Sequence, residues 1–75
     1  MIVEWWFMMG GEMRENYTEH SYDDAKRQAE IFTEDRPQFL IHKDTGKCEM
    51  KAPGMPEWKM YPDLDTAAVA ARLRG

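Results

Sequence analysis

The sequence predicts a small α+β domain, an antiparallel sheet in the order β-β-α-β-β with one helix on a face and a second helix at the C-terminus. Three observations predict it. Residues 2–9 and 38–51 carry runs of β-branched and aromatic residues broken by glycine turns. Residues 22–32 repeat small and aromatic side chains at helical spacing. The 75 residues include three Trp, three Tyr, three Phe and seven Met in a chain that is 43% apolar. That is enough bulk for one compact core, and a single domain spans 1–75.

The first strand covers 2–9 and stops at Gly10-Gly11. Trp5 and Trp6 are adjacent, so in an extended strand they point to opposite faces. The following EMRENYT (12–18) sets Met13 and Tyr17 against charged neighbours, which suits a half-exposed strand. Gly-Gly between the two runs signals a hairpin. A two-residue loop pairs Trp6 with Glu15 and Trp5 with Asn16. A loop one residue longer, with a bulge, pairs Trp5 with Tyr17 and Phe7 with Glu15. The longer loop is favoured, because it gathers Val3, Trp5, Phe7, Met9, Met13 and Tyr17 on one face.

The first helix begins at Ser21, whose hydroxyl suits an N-cap, with Asp24 three residues on and Asp23 and Asp24 at the positive end of the dipole. Tyr22, Ala25, Ala29 and Phe32 form its apolar stripe, and Ile31 falls off it. Pro37 disfavours helix at Arg36 and ends the element. QFLIH and CEMKA flank KDTGK, a turn in which Gly46 supplies the left-handed residue. Pairing Ile41 with Met50 and His42 with Glu49 puts Phe39, Ile41, Cys48 and Met50 on one face, with Leu40, His42, Glu49 and Lys51 on the other. Prolines punctuate 53–62, where EWKMY (57–61) suits a short fifth strand at the sheet edge, showing Trp58 and Met60 to one side. The last helix follows Asp63 or Asp65 as cap and ends with cationic Arg72 and Arg74.

On this plan Trp5, Phe7, Phe39, Ile41 and Met50 meet Ala25, Ala29 and Phe32 of the first helix. Trp6 and Met8 join Leu40 on the second face. Either the C-terminal helix or the Trp58 segment covers that face, or Trp6 and Met8 form an interface patch, since aromatics and Met concentrate at interface centres.

Composition narrows the function. One cysteine, Cys48, excludes an intramolecular disulfide. The apolar run from Trp5 to Met9 is too short to span a bilayer and no signal-peptide layout precedes it, so a cytoplasmic location without membrane contact is expected. Fourteen acidic against ten basic residues give a net charge of −4, which disfavours direct nucleic-acid binding. Glu12, Glu15, Glu19, Asp23, Asp24, Glu30, Glu34 and Asp35 form an acidic stretch. It is either a solvated, charge-mixed face or a surface that steers a basic partner such as a nucleic-acid-handling protein. His42 with Glu49 reads as a polar pair and Cys48 as a small core residue. No closely spaced Cys and His pairs, phosphate loop or acid–base constellation is present, so neither metal, cofactor nor catalysis is expected.

The run YTEHSYDDAKRQAE, a strand entering a Ser-capped helix, precedes a Gly-turn hairpin ending near Trp58. Over residues 13–60 this layout resembles that of some small phage-encoded anti-CRISPR proteins. The resemblance implies a non-catalytic protein that occupies a surface of a CRISPR effector complex. Some of those proteins use basic residues, and the net acidity of this chain departs from that. The functional expectation is therefore a protein-binding module of anti-defence type. Trp6, Met8, Glu15, Glu19, Asp23, Leu40, His42 and Trp58 are its candidate contact residues. The alternatives are a nucleic-acid-binding domain using an open sheet face, with Lys51 and His42 beside Trp6, or a bacterial protein that forms a homodimer through a sheet edge.

Overall fold

The computed structural model describes residues 1–74, leaving aside the side chain of Thr18. Strands β1 (Ile2–Met9) and β2 (Glu12–Ser21) lead into helix α1 (Tyr22–Phe32). Strands β3 (Gln38–His42), β4 (Cys48–Lys51) and β5 (Lys59–Tyr61) follow, and helix α2 (Leu64–Arg74) closes the chain. The strands form one five-stranded antiparallel sheet in the order β2-β1-β3-β4-β5. The α+β layout read from the sequence is the layout of the molecule, fifth strand included.

Each helix lies on its own face of the sheet. On one face, Ala25 and Ala29 of α1 pack on Val3, Trp5 and Leu40, with Tyr22 and Trp58 at the margin. On the other, Ala67, Ala68 and Ala71 of α2 pack on Met8, Phe39, Cys48, Met50 and Ala52. Alanines on both helices let the backbone approach the large sheet side chains closely. Trp5 is core, as expected, and its indole Nε1 donates to the buried Gln38 Oε1 at 2.7 Å.

Hairpin registers correct several expectations. Gly10 and Gly11 both have positive φ (58° and 81°), the requirement of a two-residue turn whose twist matches the strands. Met9 therefore faces Glu12, Met8 faces Met13 and Trp6 faces Glu15, the short-loop register. Beyond Trp6 the ladder shifts, and Glu4 faces Glu19. Asn16, Tyr17 and Thr18 bulge out opposite Trp5. Met13 consequently belongs with Trp6, not with Trp5, and Tyr17 is 93% exposed rather than packed. In the second hairpin the His42 N–H donates to the Lys47 carbonyl and the Gly46 N–H to the His42 carbonyl, each at 2.8 Å. This tighter turn pairs Phe39 with Met50 and Ile41 with Cys48, two residues from the expected Ile41–Met50 register. A shift of two preserves the faces.

The face that each hairpin offers to α1 also differs from expectation. Trp5 lies beside Leu40, and Trp6 beside Phe39. Leu40 thus joins Trp5 under α1, while Phe39, Ile41 and Met50 lie on the α2 face with Trp6 and Met8. Phe32 reaches Trp5 with its ring centroid at 6.3 Å yet leaves nearly half of its surface exposed, and Ile31 projects outward as expected.

The helix caps follow the sequence. Ser21 Oγ accepts from the Asp24 N–H at 3.3 Å, and Asp63 Oδ1 accepts from the Thr66 N–H at 2.7 Å. No helix among the described residues is long and apolar enough to cross a membrane.

Candidate protein-contact surface along the second strand

Strand β2 is ten residues long and forms one edge of the sheet. An edge strand leaves a row of main-chain donors and acceptors unpaired, and its two flanks decide what can approach. On both faces of this edge, aromatics of β2 and its neighbour β1 are left partly open by the helices.

On the α2 face, α2 packs over β3, β4 and β5. The strip nearer β2 is left half-open: Trp6, Met13 and Ile41 are half-buried there. The cross-strand pairs Trp6–Glu15 and Glu4–Glu19 frame Trp6 with three carboxylates. Lys43 Nζ sits between two of them, 3.6 Å from Glu4 and 3.4 Å from Glu19. Among the described residues no cation pairs with Glu15. The Trp6 Nε1 is shielded from solvent and has no hydrogen-bond acceptor among the described residues.

The α1 face is open at the far end of the helix. Phe7, Asn16, Phe32, Arg36 and Gln38 line a small cavity of about 120 Å³. A shallower one of about 500 Å³ adjoins it and wraps the edge of β2, bounded by Phe7, Arg14, Asn16 and Tyr17 and also by Met13 and Glu15. The Arg36 guanidinium lies 6.0 Å from the Phe7 ring centroid and pairs with Asp35 at 3.2 Å. This flank combines the residue types that anchor protein interfaces, aromatics and arginine. Sequence periodicity did not place it, because the bulge that ejects Tyr17 has no signature in alternation.

The expected contact residues separate into groups. Trp6, Glu15 and Glu19 come together on the strip beside α2. Asp23 stands apart in the exposed first turn of α1. Met8 and Leu40 are buried in the two cores and have no surface to offer. His42 and Trp58 belong to a polar seam between α1 and the sheet. His42 Nε2 lies 2.9 Å from Glu49 Oε2, and Lys26 Nζ donates to Glu49 Oε1 at 3.1 Å and to Tyr22 Oη at 2.8 Å. Trp58 Nε1 donates to Glu30 Oε2 at 2.8 Å, and Lys51 pairs with the other Glu30 oxygen.

The seam's electrostatics are those of a structural lock. Burial alone would raise the Glu49 carboxyl, but hydrogen bonds from Tyr22, His42 and Lys26 outweigh it and hold the group below its ordinary value. Burial works against the Lys26 ammonium as well, and the contacts with Tyr22 and Glu49 prevail, so its pKa rises. Lys51 first, and then Trp58, keep Glu30 low. Burial pushes the Cys48 thiol up to about 12, leaving it a protonated core side chain.

All eight carboxylates of the acidic stretch are exposed. With a helix on each face, the fully open sheet face that base stacking would use does not exist among the described residues. Comparison with protein-family models, with curated proteins and with solved structures found no match to this chain.

Proposed function

We propose that this protein is a small non-catalytic protein-binding module that meets its partner along β2. The observation that carries this reading is the pair of partly open aromatic flanks along one edge of the sheet, Trp6 of β1 on one side and Phe7 of β1 with Tyr17 of β2 on the other. Large aromatics at the rim of an otherwise well-packed small domain are the residues from which interface hot spots are built. The exposed acidic stretch favours a basic partner. In its more specific form, drawn from the layout resemblance, the module is an anti-defence inhibitor. It acts in the host cytoplasm by occupying a basic surface of a nucleoprotein complex.

The two levels separate experimentally. Tagged wild-type chain and a Trp6→Ala, Tyr17→Ala variant are used to capture partners from bacterial lysate. A protein retained by the wild type and lost by the folded variant supports the binding module. Equal recovery by both removes β2 from the reading. Expressed in a bacterium whose CRISPR immunity blocks a phage, the wild type should restore plaquing. No restoration against any effector type would discard the anti-defence form and leave protein binding standing.

A further inference from the structure

The strip beside α2 has chemistry specific enough to name what docks there. We propose that Trp6, with Glu4, Glu15 and Glu19 around it, is the docking surface for an arginine-bearing basic segment of a protein partner. This rests on the protein-binding reading and specifies the partner's chemistry.

Three features point to a guanidinium. First, Trp6 offers a half-buried indole flanked by Glu15 across the strand pair and by Glu4 two residues before it, with Glu19 paired to Glu4. An aromatic face beside carboxylates attracts a cation by both charge and ring quadrupole. Arginine uses both, because its planar, weakly hydrated head stacks on rings and grips carboxylates with two donors. Second, the face already holds a cation of its own, Lys43 between Glu4 and Glu19, while Glu15 has no described cationic partner. Third, the alternatives are repelled. A phosphate backbone would meet three carboxylates against the single Lys43 ammonium, and a second copy would double the same acidic excess. A basic protein segment is the occupant that complements the charge.

The test uses the intact ¹⁵N-labelled chain, titrated with an oligo-arginine peptide and separately with an oligo-lysine peptide of equal length. Three indole N–H signals report from different places. Trp5 donates to Gln38, Trp58 donates to Glu30, and the Trp6 group has no acceptor among the described residues. Saturable shifts at the Trp6 indole and at the amides of residues 4, 15 and 19 are expected, with Trp5 unmoved and oligo-arginine the tighter ligand. Glu4→Gln and Glu15→Gln should each weaken binding about two- to fivefold, the range of a partly exposed charge contact. Glu57→Gln and Asp65→Asn, exposed acidic changes outside the acidic stretch, should leave it unchanged. These four substitutions replace surface carboxylates, and unchanged thermal melting verifies that each variant is folded.

Shifts centred on the first turn of α1, equal affinity for the two peptides, or full affinity in Glu15→Gln would overturn the proposal. So would self-association through this strip in the unliganded chain. The two readings fail separately. A captured partner that still binds Glu4→Gln, Glu15→Gln protein keeps the binding module and removes this face. Arginine-selective shifts at Trp6 without any captured protein remove the module and keep the face.

Discussion

At the scale of single residues, the neighbours Leu40 and Ile41 show how an apolar run can conceal its own orientation. Phe39, Leu40 and Ile41 are all large hydrophobes, so alternation cannot say which of them faces which helix. Leu40 is fully buried under α1, and Ile41 is half-covered beside α2. Leu40→Ala should therefore cost about 2–5 kcal/mol, as buried leucine truncations do, and Ile41→Ala clearly less, both read from urea unfolding. Glu49 gives a residue-scale prediction in pH. Its folded-state pKa is depressed, so the stability it adds is fully present above its ordinary value of 4.5 and is lost as pH falls through the lower folded value. Glu49→Gln should lose about 1–3 kcal/mol at neutral pH, the worth of hydrogen bonds to a charged group. Unfolding curves of the two proteins taken at successively lower pH should converge. A constant gap would mean that the Tyr22, His42 and Lys26 contacts do not depend on the carboxylate charge.

At the scale of elements, caps and the positions of turns were legible, and turn lengths and registers were not. Ser21, Asp63, Gly10-Gly11 and Gly46 act through local backbone chemistry, which residue type specifies directly. Ser21→Ala should accordingly destabilise the domain by about 0.5–2 kcal/mol in thermal or urea melts, with α1 fraying first at Asp23 and Asp24 in amide exchange. Register depends on partners distant in the chain. The buried-pattern rule favoured a longer first turn because it assumed one unbroken ladder. The molecule keeps the short glycine turn and places a bulge at Asn16–Thr18, so Met13 and Tyr17 leave the face that rule had given them. That bulge creates the Tyr17 flank of the candidate surface, so the part of the site that sequence reasoning missed follows directly from the register it missed. Trp6, Glu15 and Glu19 were legible singly, Trp6 as an aromatic on the second face and the glutamates as part of the acidic stretch, but the favoured register set Glu15 opposite Phe7, so their convergence on one strip was not.

At the scale of the whole molecule, the sheet is a partition between two small alanine-lined cores, and β1 supplies both. Trp5 enters one core and Trp6 the margin of the other, joined by a single peptide unit. Neither core can loosen its hold on β1 without disturbing the pairing that aligns the other, although the two lie on opposite faces of the sheet. The optical consequence is direct. A variant keeping only Trp5 and one keeping only Trp6 would report on opposite sides of the partition by fluorescence. Their denaturation midpoints, each compared with circular dichroism on the same variant, should coincide with it if the chain melts in one step. A Trp6 signal that changes at lower urea than the dichroism would reveal that the α2 side opens first. The adjacent tryptophans thus give the protein a built-in pair of reporters, one for each face, on a strand whose integrity both faces require.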